Sequence, residues 1–332
     1  MKPAVVIVSP ALADANNGNW QTAHRWQKLL KAEFSVRIVD HWPDGAGAAQ
    51  DACMLALHAR RSAPSVLAWA QRGAQPAADG PAPGLAVVLT GTDLYRDIQT
   101  DAQAQRSLQL AQRLVLLQER APDALPVPLR ARAGVIFQST ARRQTLHKMP
   151  VCKGLRAVMV GHLREEKSPE TLFDAARLFT VKDRIYLDHI GTGLDRTLAA
   201  QAQATAIVCP HYRWLGGLPH EVTRKRIQRA HVLVHTSRIE GGAHVVMEAV
   251  CSGTPVLASR IAGNVGMLGA DYAGYFDWGD AQALAALLRH CQHSPSFYAL
   301  LQSQCAARAA LFLPQAEQTA LVALVRSLIG TP

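Results

Sequence analysis

The chain has 332 residues, a formal net charge of +10, 49% hydrophobic residues and 18% charged ones. That length allows about two domains, and the apolar share can fill two buried cores. Lys and Arg are scattered, with Arg224-Lys225-Arg226 and Arg229 as the densest cluster and no aromatic-interleaved basic stripe. Nucleic acid is therefore excluded as an expected partner, whereas the positive excess suits attraction of small phosphate-bearing substrates.

No apolar run approaches a membrane span, and Val5 to Val8 is too short for the core of a signal peptide. Cys53, Cys152, Cys209, Cys251, Cys291 and Cys305 show neither a C-x-x-C pair nor zinc spacing. The expectation is a cytoplasmic protein with free thiols, no membrane partner and no metal.

Residues 4–8 read as the first strand of a parallel sheet. A loop over 9–20 follows, containing Asn16-Asn17-Gly18-Asn19, and then a helix over 21–31. In a doubly wound sheet the carboxyl end of a strand faces the ligand crevice. That rule brings Gly18 and Asn19 to the crevice, with Thr22 on the first helical turn and Arg25 a turn further, readable equally as within reach of an anion or as a surface residue. Residues 36–39 read as a strand, 51–61 as a helix, 66–69 as a strand, 73–84 as a loop and 85–89 as a strand. The last of these runs into Thr90-Gly91-Thr92-Asp93-Leu94-Tyr95-Arg96-Asp97. Gly91 permits close backbone approach. Thr92, Asp93 and Arg96 are placed to contact a sugar or acceptor; Thr92 or Asp93 would serve equally as a helix cap. A helix over 102–112 and strands over 114–117 and 135–138 complete this half. The polar, basic stretch 139–148 and Pro150 mark a boundary, giving domains 1–149 and 150–313, with a helix in 314–332 crossing back.

The second half repeats the alternation. A strand over 155–160 enters Gly161-His162-Leu163-Arg164-Glu165-Glu166-Lys167-Ser168-Pro169, and a helix follows over 169–179. Strand, glycine loop, cations and helix together form a phosphate seat. Arg164 and Lys167 are spaced to meet a diphosphate, or alternatively to pair with Glu165 and Glu166. Residues 186–190 form a strand ending in Gly191-Thr192-Gly193. Residues 195–204 read as a helix and 206–209 as a short buried segment. Strands over 231–235 and 255–258 flank Arg238 to Pro255, within which a helix starts at Gly241 and Gly242. Those glycines admit a bulky anion, and the helix N-terminus offers amides and partial positive charge. Glu240 at the helix mouth can accept hydrogen bonds from hydroxyls, or alternatively serve only as a capping charge. Glu248, about two turns in, can reach a second set. This pattern suits a sugar–diphosphate–ribose molecule. Glu248 lies among Val245, Val246, Met247, Ala249 and Val250, where a buried carboxylate needs a partner. His244, on the first turn, reads equally as a site residue or a packed histidine. Helices are expected over 281–290, 295–311 and 314–329.

Glu240-x7-Glu248, continued by Ser252-Gly253-Thr254-Pro255-Val256-Leu257-Ala258-Ser259 and Gly263-Asn264-Val265, resembles an element of nucleotide-sugar glycosyltransferases. That resemblance implies an α/β, GT-B-like fold: two facing Rossmann-like domains with parallel sheets and a central cleft. The first domain lies on the acceptor and sugar side, and the second binds the UDP-sugar. Glu240 would hold sugar hydroxyls and Glu248 the ribose. Arg164, Lys167, Glu240 and His244 are the implied catalytic set. The implied donor site comprises Gly18, Asn19, Gly161, His162, Arg164, Lys167, Gly191, Arg213, Leu215, Glu240, Gly241, Gly242, Ala243, His244, Val245 and Glu248. Asn19, Thr22, Gly91, Thr92, Asp93 and Arg96 form the implied acceptor side. In the family the loop after the first strand of the second half reads approximately Gly-Arg-Leu, three residues, Lys-Gly. Lys167 matches, His162 stands at the arginine position, and Arg164 is the candidate replacement. Tyr212 to Gly216 matches the segment lining the nucleobase, with Arg213 and Trp214 both open as the stacking residue and Trp214 also readable as packing.

More specifically, Val8-Ser9-Pro10, Asn16 to Trp20, Thr90 to Asp97, Gly161 to Arg164 and Glu240 to Glu248 together resemble the selenosugar synthases of selenoneine biosynthesis, over the full chain. That family is implied to join selenophosphate to the sugar of UDP-N-acetylglucosamine or UDP-glucose, yielding a 1-seleno-sugar, UDP and phosphate. The UDP-sugar is then a co-substrate, no further cofactor is expected, and a pathway partner would supply selenophosphate. An anionic selenium nucleophile needs no strong base, and Asp93 and His244 are the candidates if one acts. Positioning and stabilisation of the departing UDP become the main tasks. Other readings are an ordinary transferase to a hydroxyl or amine, a nucleotide-sugar epimerase and a non-catalytic nucleotide-sugar sensor.

Overall fold

A computed structural model describes residues 2–12, 18–72 and 80–330. Asn16 and Asn17 of the expected glycine loop, and residues 73–79 of the expected Gly/Pro/Ala-rich loop, lie outside the described residues. The chain divides into two compact units, Met1–Ser139 with Pro314–Pro332, and Thr140–Leu313.

The first unit contains β1 (Ala4–Val8), α1 (Gly18–Leu30), β2 (Ser35–Val39), β3 (Asp51–Leu57), α2 (Ala63–Ala70), β4 (Ala82–Val88), α3 (Ile98–Thr100), α4 (Ala102–Leu110), β5 (Ala111–Leu116) and β6 (Ala133–Val135). Its six strands are all parallel, in the order β2-β1-β3-β4-β5-β6. Two expectations for the middle of this unit are overturned. Residues 51–57, expected as helix, are β3, and 66–69, expected as a strand, lie in α2. Cys53, Met54, Leu55, Ala56 and Leu57 are all fully buried between β1 and β4. A strand covered on both faces reads as a continuous apolar run without a two-residue period, and its Met, Ala and Leu mimic a helix. In α2, Pro64 occupies the first turn, and Val66 and Trp69 are buried three apart while Leu67 is 43% exposed. β4 begins at Ala82 rather than at 85, through an irregular register at Pro83 and Gly84, where Gly84 has φ 73°. β6 stops at Val135 rather than 138; the Gln138 side chain donates to Thr22 Oγ1 at 2.5 Å.

Two cores flank this sheet. One contains Val6, Val8, Met54 and Trp69; the other contains Val5, Ile7, Trp26, Leu55 and Leu57, joined by Leu321, Val325 and Leu328 of the closing helix Pro314–Ile329. Each large apolar side chain buried this way stabilises the unit by about 1.5–3 kcal/mol. The closing helix is also held by Glu317, which is 1% exposed. Glu317 accepts from Arg25 Nε at 2.9 Å, Trp26 Nε1 at 2.7 Å, Ser139 N at 2.9 Å and Ser139 Oγ at 2.5 Å. Arg25 thus meets an anion inside its own unit.

The division falls after Ser139, ten residues before the expected 149/150 boundary, because residues 140–149 bind the second unit. Arg143 N donates to Cys251 O at 2.9 Å, Arg224 Nη2 to Ala141 O at 2.7 Å, and Lys148 Nζ to Thr254 Oγ1 at 3.0 Å.

The second unit contains β7 (Leu155–Val160), α5 (Glu170–Arg177), β8 (Ile185–Ile190), α6 (Arg196–Val208), β9 (Tyr212–Trp214), α7 (His220–Arg229), β10 (Val232–His235), α8 (His244–Val250), β11 (Val256–Ser259), α9 (Ala262–Leu268), β12 (Tyr275–Phe276), α10 (Ala281–His293) and α11 (Pro295–Arg308). Again all six strands are parallel, ordered β12-β11-β10-β7-β8-β9. The winding reverses between β7 and β10, which places a ligand crevice at their carboxyl ends. In the first unit the equivalent reversal lies between β1 and β3. Residues 206–209 belong mostly to the last turn of α6 rather than to a buried segment; Ile207 is 83% exposed and Val208 66%. No described helix is long and apolar enough to cross a membrane.

Candidate active site

At the carboxyl end of β7, Gly161 begins the loop that carries His162, Arg164 and Lys167. Two backbone bonds knit it to the loop after β8, Gly161 N to Ile190 O at 2.9 Å and Leu163 N to Thr192 O at 2.9 Å, and Gly191 N to Gly216 O at 2.8 Å ties that loop to the segment after β9. Gly191 must lack a side chain, because a Cβ there would overlap the Gly161 carbonyl. Lys167 closes a one-turn 3-10 helix, followed by Ser168 in the left-handed region at φ 43°. Thr236 Oγ1 donates to Lys167 O at 2.7 Å and Arg238 N to Glu166 O at 2.9 Å, so this loop is fixed to the one after β10.

That second loop brings Glu240 to Lys167. Lys167 Nζ donates to Glu240 Oε1 at 2.5 Å, and His235 Nε2 lies 3.2 Å from the same oxygen without hydrogen-bond alignment. Burial pulls the Glu240 carboxyl upward, but the Lys167 ammonium overrides it and holds the group well below the usual carboxylate range. His235 is itself lowered, chiefly by burial, and so stays neutral at pH 7. Gly263 in α9 supports the Glu240 backbone; a Cβ there would overlap the Glu240 carbonyl.

Glu248 is the second internal ion pair. It is 7% exposed, its Oε1 accepts from His220 Nε2 at 2.6 Å, and Arg224 Nε stands 3.9 Å away. The hydrogen bond to Glu248 raises the His220 pKa. Glu240 and Glu248 therefore share one arrangement: each meets its cation through Oε1, while among the described residues Oε2 accepts no hydrogen bond. The partner that burial demands of Glu248 is supplied by α7. The helix itself starts at His244, two residues after the glycines it was expected to start on. Gly241, Gly242, Ala243, His244 and Val245 line its entrance, with Ala243 N donating to the Met267 sulfur at 3.1 Å. His244 is half-buried and takes part in interactions within the protein.

His162, standing where the resemblance has an arginine, accepts from Thr192 N through Nδ1 at 3.1 Å. Burial, with Arg164 and Lys167, lowers its pKa, so the ring is neutral at pH 7 with its proton on Nε2. It can offer a phosphate one uncharged N–H. Arg164 is half-exposed and 3.9 Å from Glu166. Leu215 N donates to His189 O at 2.8 Å, fixing the segment after β9. Arg213 binds Asp188 through Nε at 2.8 Å and Nη2 at 2.6 Å. Trp214 donates from Nε1 to Gly191 O at 2.8 Å and packs on Gly193. Both are engaged in the fold, Trp214 by packing and Arg213 by its ion pair, while the Arg213 side chain remains 57% exposed.

In the first unit the expected acceptor residues divide. Gly18 and Asn19 open α1 rather than preceding it. Thr22 is 2% exposed, one turn past the helix start; its hydroxyl donates to Gly18 O and accepts from Gln138. Asp93 is fully buried and accepts from Thr90 N, Gly91 N and Ala59 N, each at 2.9 Å. Thr22 and Asp93 are thus committed to the fold, and Asp93 is withdrawn as a base candidate. Thr92 and Arg96 remain partly or fully open to solvent, Arg96 lying 3.2 Å from Asp97. The sequence reading missed His58, His220 and His235. Each lies just after or at the end of a strand, or at a helix start, and that position is the one signal that could have drawn attention to them. Among the described residues no group of three or more His, Cys, Asp or Glu could hold a metal ion.

Solved structures share the fold. The chain is similar to sucrose-phosphate synthase from Thermosynechococcus elongatus at 17% identity and a TM-score of 0.77, covering 99% of this chain and 100% of that one. It is similar to Anabaena HepE in complex with UDP and glucose at 14% identity and a TM-score of 0.72, covering 98% and 100%. A third neighbour is a variant of S. aureus TarM in complex with fondaparinux, α-GlcNAc-glycerol and UDP, at 12% identity and a TM-score of 0.63, covering 84% of this chain and 55% of that one. The chain thus spans about half the length of TarM, and the likeness to all three is one of fold. The two six-stranded parallel sheets have the GT-B architecture expected from the sequence. A family model described as glycosyl transferases group 1 matches residues 152–309. That match lies within the second unit and takes in both Glu240 and Glu248.

Proposed function

We propose that the protein is a glycosyltransferase-like selenosugar synthase. It takes selenophosphate and a UDP-sugar, UDP-N-acetylglucosamine or UDP-glucose, and forms a carbon–selenium bond. The observation that carries the donor half of this reading is the matched state of Glu240 and Glu248. Each has one oxygen neutralised by a protein cation and one open, as two sets of donor hydroxyls require. Glu240 receives sugar hydroxyls and Glu248 the ribose. Lys167, with two further N–H groups, Arg164 and the neutral His162 N–H meet the diphosphate and stabilise the charge that develops as UDP leaves.

In the reaction, selenium attacks the anomeric carbon while the bond from that carbon to the UDP oxygen breaks with its electron pair. Water then cleaves the phosphorus–selenium bond, releasing phosphate and the 1-seleno-sugar. The nucleophile arrives as an anion, so the engagement of Asp93 in backbone hydrogen bonds does not hinder the step. A second reading, transfer to a hydroxyl of a small acceptor, is favoured by the fold neighbours.

The test is incubation of the protein with each UDP-sugar, with and without selenophosphate. UDP release that depends on selenophosphate, with a selenium-bearing sugar by mass spectrometry, is expected. Release driven by a hydroxyl acceptor alone would sink the selenium assignment and support the second reading.

A further inference from the structure

His58 immediately follows β3 of the first unit, beside the point where the strand order reverses, and so sits at the crevice end of that sheet. Its backbone is left-handed at φ 74°, a conformation uncommon for residues other than Gly, though His, like Asn and Asp, adopts it more often than most. Only 3% of the residue is exposed.

The ring's contacts fix its state. Arg61 N donates to Nδ1 at 3.3 Å, and Nε2 lies 3.2 Å from Thr92 Oγ1. Asp93 Oδ2 is 4.0 Å from Nδ1 and Asp97 Oδ2 is 3.8 Å from Nε2. Burial, aided by Arg61, lowers the ring's pKa against the pull of Asp93 and Asp97, so the ring is neutral at pH 7. Arg60 and Arg96 complete the charged surroundings, paired with Asp101 at 3.1 Å and Asp97 at 3.2 Å respectively.

A neutral imidazole has one N–H. With Nδ1 accepting from Arg61, the proton is on Nε2, which donates to the Thr92 hydroxyl. Thr92 accepts there, so its own proton points elsewhere, and among the described residues nothing takes it. We propose that His58 is a positioning residue, whose Nε2–H turns the Thr92 hydroxyl outward to donate to an oxygen of an anionic acceptor. This rests on the transferase reading above and adds to it one specific donor for the acceptor's phosphoryl oxygens.

Two measurements test it. In protein with nitrogen-15 histidine, the His58 ring, recognised by its loss in His58→Asn, is expected as the Nε2–H tautomer at pH 7. Asn tolerates the left-handed backbone, and His58→Gly removes the strain altogether, so a folding defect is separable from a loss of positioning. In turnover, Thr92→Val is expected to raise KM for selenophosphate roughly tenfold, the loss of about one hydrogen bond to a charged group. KM for the UDP-sugar should stay nearly unchanged. His58→Asn should behave similarly, and the double variant should be no worse than Thr92→Val. An Nδ1–H tautomer, a charged ring, additive losses or an equal rise in the UDP-sugar KM would overturn the proposal. If the wild-type protein shows no turnover with selenophosphate, the selenium assignment falls, while the tautomer still decides whether His58 orients Thr92.

Discussion

At Glu317 one carboxylate, 1% exposed, takes hydrogen bonds from Arg25, Trp26 and Ser139. Removing one member of such a buried set leaves the others uncompensated. Glu317→Ala is expected to cost the first unit about 3–5 kcal/mol in urea unfolding, and Glu317→Gln, which keeps the shape, less. Glu240 makes a pH-dependent contribution. Its folded pKa lies below the ordinary value of 4.5, so between the two values the unfolded chain binds more protons and stability rises with pH. The contribution is therefore complete above about pH 4.5 and declines as pH falls further. Lys167→Met removes the cation mainly responsible for lowering the group. Unfolding midpoints measured from about pH 3 to pH 6 should show a shallower acid decline in the variant than in the wild type. An unaltered decline would contradict the assigned pairing.

Gly191 makes its case through the elements on either side of it. The loops after β7 and β8 approach so closely that a Cβ at Gly191 overlaps the Gly161 carbonyl. Gly191→Ala should destabilise by about 1–3 kcal/mol or more, as overpacking does. Gly134→Ala in β6 is the control: nothing lies within 4 Å of its Cβ position. There a neutral or slightly higher melting temperature is expected. A similar drop in both variants would indicate a general intolerance rather than the specific clash. α8 has seven residues, too few to be stable alone, and is held by buried Val246, Met247, Ala249 and Val250. Its existence was legible because apolar residues surround a single Glu. Its starting residue was not, because Ala243 spends its amide on the Met267 sulfur, a long-range contact. The exchanged identities of β3 and α2 have a related cause, since burial on both faces removes the periodicity that distinguishes strand from helix.

Across the whole molecule, the net charge of +10 would favour encounter with the anionic substrates of the proposed reaction. If the protein takes a UDP-sugar as proposed, raising salt from low to physiological ionic strength and beyond should raise the apparent KM for it, with kcat much less affected. A KM independent of salt would place recognition wholly in short-range contacts. The fold is shared with sucrose-phosphate synthase at 17% identity. Alternating parallel strands and helices with glycine turns at strand ends can thus be built from very different side chains.

The sequence alone determined the α/β alternation, the glycine loops beginning at Gly161, Gly191 and Gly241, and the pairing in type of Glu240 with Glu248. Those signals are local: a glycine turn, a charge or an apolar period is complete within one short window. Tertiary structure decided which strands are central, which cation meets each carboxylate, and that Asp93 and Thr22 serve the fold while His58 faces Thr92. Those outcomes depend on parallel strands that are neighbours in space but distant in the chain, such as β7 beside β10. No local window encodes that adjacency; it is selected when the whole sheet buries both its faces.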